Sequence, residues 1–329
     1  MIKSLRRMAF AVALFVAPAV MAQVEVDKQL PEYKAVEGIS GTVKSVGSDT
    51  LNELMTGWAE DFHKFYPNVK IEIEGKGSST APPALIEGTS QFGPMSREMK
   101  GSEVDDFKKK YGYPPTEIKV AVDSLGVFVN KDCPIKSLTI EQLRQIFSIE
   151  GKPDLTWGEI GVTDPTYKDK VISLYGRNSA SGTYGYFKEH ALGKKDYKPS
   201  VKEQPGSSSV VQGVASDKYA MGYSGIGYAT ADVKAVPLAT EKGGQAFEAN
   251  AENAYSGDYP LSRFLFVYVN VKPGQEPTPI VREFMRLVLS HQGQETTVKY
   301  GYYPIPNRVA QQGLKALTGA AADPKADAR

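Results

Sequence analysis

Hydrophobic and polar positions along this chain repeat in two periods, and the two periods take turns. Leu51, Leu54, Met55, Trp58, Phe62 and Phe65 recur at helical spacing, and Pro67 ends that helix. Directly afterwards Val69, Ile71 and Ile73 alternate with Lys70, Glu72 and Glu74, the pattern of a half-buried strand. A strand over Thr42–Val46 precedes them. Pro82 and Pro83 suit the first turn of a helix running through Leu85 and Ile86, where a missing N–H costs nothing. The pattern then predicts a long β-like run over Ile118–Asn130, interrupted at Asp123 and Gly126, and a short amphipathic helix over Leu138–Phe147. A strand over Val171–Tyr175, a helix over Thr183–Leu192, a strong strand over Leu261–Asn270 and an amphipathic helix over Pro279–Ser290 follow. The tail beyond Leu317 is small and polar and is expected to fray. This alternation predicts an α/β architecture with sheets covered on both faces. Two long β-like stretches, Val120–Asn130 and Tyr259–Asn270, are candidates for chain crossings between two lobes.

The ends and the charge narrow the class. Lys3, Arg6 and Arg7 are followed by an apolar run from Met8 to Val20 and by small residues closing at Ala22. A basic head, a short apolar centre and a small residue describe a secretory signal peptide cleaved after Ala22, which implies a periplasmic protein. No cysteine stands at that point, so a lipid anchor is not indicated. Residues 23–40 show mixed charge and no period and read as a mobile leader. Removing residues 1–22 takes away three of the 39 basic residues and none of the 38 acidic ones, leaving a net charge of −2. A near-neutral chain without a basic block is a poor candidate for nucleic-acid binding. Cys133 is the single cysteine, so there is neither an internal disulfide nor a cysteine metal cluster.

Three serine-rich turns share one chemical plan, each between a strand and a helix. They are Val46-Gly-Ser-Asp-Thr-Leu51, Gly75-Lys-Gly-Ser-Ser-Thr80 and Gly176-Arg-Asn-Ser-Ala-Ser-Gly-Thr183. A helix start leaves backbone N–H groups without partners, and its dipole favours negative charge. Glycine admits a ligand to the backbone, and serine or threonine adds a hydroxyl beside it, so an oxyanion held by several such turns would meet mainly neutral donors. Arg177 adds a planar fork of donors suited to two phosphate oxygens. The competing explanation for each turn is that its Ser, Thr or Asp merely caps a helix. Arg177 alone could equally be half of a surface ion pair.

With these turns, Phe92-Gly-Pro-Met-Ser-Arg97 and Tyr259-Pro-Leu-Ser-Arg263, the chain resembles the PstS family, the phosphate-binding proteins of bacterial ABC phosphate importers, from about Gly41 to Leu317. The resemblance implies a two-lobe type II periplasmic-binding-protein fold with two crossing strands as hinge. Lobe 1 would comprise 41–122 plus 259–318, lobe 2 would comprise 123–258, and 319–329 would be a flexible tail. It implies high-affinity capture of inorganic phosphate in the interlobe cleft, without catalysis or cofactor, and delivery to the importer's permease subunits, its one link to the membrane. The matching ligand positions are Thr50, Leu51 and Ser78 from lobe 1 and Arg177, Ser181, Gly182 and Thr183 from lobe 2. Two positions depart from the family's pattern. Ser96 stands where an aspartate accepts the proton of phosphate, and Ser179 stands where a second aspartate pairs with the binding arginine. A carboxylate acceptor would repel a proton-free dianion such as sulfate, so its loss bears on selectivity. Asp123 is a candidate replacement, with Arg97 neutralising it or binding phosphate directly; Asp123 as a plain strand-end turn residue is the alternative.

Other features add little. His63, His190 and His291 have no neighbours at metal spacing. Met221–Gly227 is glycine-rich but fits no nucleotide fingerprint, and Ser224 fits no nucleophile elbow. The competing functions are capture of sulfate, molybdate or a phosphonate, hydrolysis of a phosphoester by one of the serines, and surface adhesion. No serine shows an evident base beside it, which weighs against the hydrolase.

Overall fold

In the computed structural model the described residues are 24–318. The signal peptide, its cleavage after Ala22 and the tail 319–329 lie outside them. The first part of the chain forms β1 (Gly41–Val46), α1 (Asn52–Phe65), β2 (Val69–Glu74), α2 (Ala81–Glu87), β3 (Gly93–Met95), α3 (Gly101–Tyr111) and the long β4 (Thr116–Asn130). The middle adds β5 (Leu138–Thr139), α4 (Ile140–Phe147), β6 (Ser173–Arg177), α5 (Gly182–His190), β7 (Lys202–Gln204), α6 (Ser207–Ser216), β8 (Ala220–Gly225), β9 (Val233–Ala235), β10 (Leu238–Ala239) and α7 (Ala251–Ser256). The chain then returns through β11 (Ser262–Val269) to α8 (Pro279–Val288), α9 (His291–Lys299) and α10 (Asn307–Ala316).

One mixed sheet runs through the molecule in the order β3-β11-β4-β8-β6-β7, with β9 beside the far end of β4. Its centre is β4. From Thr116 to Ser124 it pairs antiparallel with β11, and from Leu125 onward it pairs antiparallel with β8. β1 and β2 form a separate parallel pair whose C-terminal ends lead into the first two serine-rich turns. The apolar residues divide at the same place. One large buried cluster joins Trp58, Phe62, Val120, Ala121, Leu265, Phe284 and Ile305, and another joins Leu125, Val127, Phe147, Trp157, Phe187, Tyr223 and Leu261. Two cores on either side of a pair of shared strands are the two-lobe arrangement of the periplasmic-binding fold.

Several boundaries differ from the pattern-based reading. β4 is continuous through Asp123 and Gly126. The Asp123 carboxylate is satisfied by Arg263 and by the Ile226 N–H, and Gly126 leaves room for the Phe128 ring, so neither residue breaks the ladder. The helix expected from Leu138 starts at Ile140, because Leu138 and Thr139 pair with β10 and Thr139 then caps the helix through Gln142 N. The mobile leader is, over its described part, fastened to the first core. Leu30 and Tyr33 are buried, Tyr33 Oη lies 2.7 Å from Tyr66 Oη, and His291 N donates to the Pro31 carbonyl. Isolated apolar anchors of this kind leave no period to read.

Candidate functional site

The three serine-rich turns meet where the two cores face each other. β1 delivers the first, β2 the second and β6 the third. Thr50, Leu51, Ser78, Ser96, Arg97, Asp123, Arg177, Ser181 and Thr183 are all buried, as is Gly182. Thr50 Oγ1 lies 2.9 Å from Thr183 Oγ1, Ser78 Oγ lies 3.3 Å from Ser96 Oγ, and Ser96 Oγ lies 3.5 Å from Thr183 Oγ1. Four hydroxyls from four separate segments thus form one contiguous polar cluster. Gly182 sits against it so closely that a Cβ would fall 2.3 Å from Ser78 Oγ and 2.7 Å from Ser96 Oγ. At Gly77, φ is +112° and a Cβ would fall 2.6 Å from the Ala180 carbonyl, so two glycines from opposite turns allow the approach. Ser79 N donates to that same carbonyl at 3.0 Å.

The capping explanation holds at one of the three turns. Ser181 Oγ accepts from Thr183 N and Tyr184 N and caps α5. Thr50 and Ser78 cap nothing: the starts of α1 and of the short 3₁₀ turn at Ser78–Thr80 have no side-chain cap. Among the described residues, the backbone N–H groups of Thr50, Leu51, Ser78 and Gly182 enter no hydrogen bond. The turns therefore present amides that the fold does not itself consume, beside hydroxyls bonded mainly to one another, together with the positive end of the α5 dipole.

Two arginines flank the hydroxyls. Arg177 is 1% exposed. It donates from Nη1 to Ser207 Oγ at 2.7 Å, and its Nη2 lies 3.2 Å from Asp49 Oδ2, while Nε is buried with no partner among the described residues. Burial pushes the guanidinium below its ordinary value, opposed by the Asp49 charge. The second arginine is Arg263, directly opposite Asp123 across β11 and β4. Its Nε and Nη2 both donate to Asp123 Oδ2, at 3.0 and 2.8 Å, its Nη1 donates to the Ser96 carbonyl, and Nη2 also reaches Thr183 Oγ1 at 3.0 Å. The guanidinium lies 5.1 Å from the centre of the Tyr186 ring. Burial pushes the Tyr186 phenol up to about 12, so it stays a donor, to the Ser262 carbonyl.

The structure narrows three readings from the sequence. Arg97 does not neutralise Asp123, and the hydroxyl it reaches is Ser79 Oγ, at 3.3 Å, outside the cluster. Its guanidinium is forked onto Glu103 through two 2.8 Å bonds, because the start of α3 brings that carboxylate beside it. Asp123 is no turn residue: it is fully buried in a continuous strand, and Arg263 is its counter-ion. Ser179, at the position of the second family aspartate, is exposed, and the acid beside Arg177 is Asp49 from the first turn. Asp49 and Arg263 both lie inside motifs quoted for the family resemblance, but no spacing rule pairs residues that far apart. Ser207 was missed with its helix. The Val210, Val211, Val214 stripe was there to be read, in a segment diluted by serine and glycine. Among the described residues no cluster of His, Cys, Asp or Glu could hold a metal ion.

A two-lobed chain whose halves close on an inward-facing set of amides, hydroxyls and guanidinium groups is a solute-binding protein by architecture. The family model of the PBP superfamily domain matches residues 34–292. The phosphate-binding protein PstS of Pseudomonas aeruginosa is 54% identical over 304 residues, covering 91% of this chain and 94% of its own. That of Staphylococcus haemolyticus is 31% identical over 286 residues, covering 85% and 86%. Among solved structures, a Clostridium perfringens ABC-transporter substrate-binding protein with bound phosphate superposes with a TM-score of 0.68 at 26% identity, covering 80% of this chain and all of that one. The chain belongs to the PstS family of phosphate-binding proteins.

Proposed function

We infer that this protein binds inorganic phosphate between its lobes and delivers it to the permease subunits of an ABC phosphate importer, from the periplasmic side of the membrane. The observation that carries this reading is the buried meeting of Thr50, Ser78, Ser96 and Thr183, contributed from both halves, with Arg177 and Arg263 beside them. The lobes in this reading are 41–122 with 259–318, and 123–258. Phosphate accepts from the Thr50, Leu51, Ser78 and Gly182 amides, from the hydroxyls and from Arg177. Each charge-assisted bond gains strength from the exclusion of water. Ligand bound to one lobe favours closure because the other lobe completes the shell only when the two meet.

Selectivity rests on Asp123. Three donors already occupy it, two on Oδ2 from Arg263 and one on Oδ1 from Ile226 N, which leaves one lone-pair position on Oδ1. In this proposal that position accepts the proton of phosphate, as Ser96 does in a weaker, neutral form. Arg97 has no part in the binding. The protein acts by capture, and no serine of the cluster has a histidine or lysine base bonded to it among the described residues. No helix among those residues is long and apolar enough to cross a membrane.

Calorimetry with phosphate, arsenate and sulfate, beside an assay with a chromogenic phosphomonoester, tests the reading. Tight binding of phosphate and arsenate with no turnover is the expected result. Preference for sulfate would move the assignment to another oxyanion, and turnover would move it to a hydrolase.

A further inference from the structure

Asp49 makes more bonds across the interlobe boundary than the phosphate site needs. It stands in the first serine-rich turn, on the β1–α1 side, and all its side-chain partners come from the other half. Its Oδ2 accepts from Ser207 N at 2.7 Å, the first amide of α6, and lies 3.2 Å from Arg177 Nη2. Its main-chain carbonyl accepts from Tyr228 Oη at 2.9 Å, again from the far half. Gly206 precedes α6 and allows this approach, since a Cβ there would fall 3.1 Å from Asp49 Oδ1. A carboxylate at a helix N-terminus, bonded to its first free amide and beside a buried guanidinium, is in a strongly favoured electrostatic setting. That setting exists only when the lobes are together.

The same residue fixes the arginine. Ser207 Oγ and Asp49 Oδ2 hold the two terminal nitrogens of Arg177, and the Pro205 carbonyl lies 3.4 Å from Nη2, so the guanidinium plane is set from behind. Nε remains buried and without a partner among the described residues. Asp49 therefore holds a donor in place for an anion while being an anion itself, displaced to the back of the guanidinium.

We propose that Asp49 is the closing latch of the protein: a positioning residue that does not touch phosphate but clamps α6 and Arg177 of one lobe onto the first turn of the other, setting how slowly phosphate leaves. The idea builds on the phosphate reading above, and its test separates the two. Two forces act on an Asp49→Asn variant. The amide keeps the shape and can still accept from Ser207 N, but the charge that draws Arg177 and the α6 terminus across the boundary is lost. Removing a negative charge from beside Arg177 does not hinder an incoming anion. The effect therefore falls on release.

The experiment combines kinetics with a distance. Cys133 is buried and is the only cysteine, so nitroxide labels at Ser102→Cys and Ser200→Cys, both exposed positions and one on each lobe, report closure selectively. In stopped-flow measurements with inorganic phosphate, Asp49→Asn should raise koff about tenfold or more and leave kon within about twofold. Tyr228→Phe, which removes the uncharged bond to the Asp49 carbonyl and a longer one to the Thr50 carbonyl, should raise koff by a smaller factor. The label distance should shift toward the open form in Asp49→Asn with and without phosphate, relative to the same labels on the unsubstituted chain. An unchanged koff with an unchanged distance would overturn the latch, as would a loss of affinity carried entirely by kon. If the unsubstituted protein fails to bind phosphate, the function reading fails, and the ligand-free distance shift still decides the latch.

Discussion

In the proposed phosphate site, Arg177 has part of its donor set already committed. Ser207, Pro205 and Asp49 occupy three positions, and the free ones belong to a guanidinium that is almost wholly buried. Arg177→Ala should weaken phosphate binding well over tenfold by calorimetry, because a buried charge-assisted pair is worth about 2–5 kcal/mol. Asp123→Asn separates two roles. Loss of discrimination against sulfate is the expected outcome, since an amide has a donor to offer a proton-free oxygen where the carboxylate has none. Unchanged selectivity would remove Asp123 from proton recognition and leave it only as the support of Arg263. Arg97 provides the contrast: Arg97→Ala should leave the phosphate Kd within about threefold and lower Tm, because its partner is Glu103. Burial alone would raise the Glu103 carboxyl, but Arg97 and the Lys100 N–H hold it below its ordinary value of 4.5. A depressed folded value means that the stabilisation is complete above about pH 4.5 and is lost as pH falls through the lower folded value. Glu103→Gln should flatten that part of the acid limb of a Tm-versus-pH curve.

At the scale of elements, what matters is how near the turns come to each other. Gly182 opens α5 with its Cα against Ser78 and Ser96 of the opposite lobe. A methyl group there would collide with two hydroxyl-bearing side chains that have no room to retreat, since both are fully buried. Gly182→Ala should therefore keep the fold, as alanine favours helix, and yet lower phosphate affinity by about a hundredfold or more through incomplete closure. A Kd near that of the unsubstituted protein would show that the lobes need not come this close. The strands carry a related lesson. Asp123 and Arg263 were legible as residues, and each stretch was legible as a strand, but it is the antiparallel register of β4 against β11 that sets them face to face.

Across the whole molecule, closure couples binding to stability. A ligand that touches both lobes binds the folded chain only, so phosphate at a hundredfold excess over Kd should add about 2.7 kcal/mol. That corresponds to a rise in Tm of several degrees at this chain length. Equal Tm with and without phosphate, at a concentration where calorimetry shows saturation, would overturn this coupling, because the unfolding that sets Tm would then belong to a lobe that does not hold the ligand. The aromatic stack of Phe187, Tyr197 and Tyr223 under α5 and β8 makes the second lobe a rigid backing for Arg177, whose amide donates to Tyr223 Oη.

By itself the sequence determined the α/β alternation, two long strands as candidates for the crossings and the three turns that carry most of the candidate site, because periodicity and helix-start chemistry are local properties of adjacent residues. Only the tertiary structure decided the partners. Asp49 with Arg177, Asp123 with Arg263 and Arg97 with Glu103 are choices among many possible charge pairs. Two of these pairs span more than a hundred residues. Packing of separate strands and lobes selects them, through the cost of leaving any of these charges buried and alone.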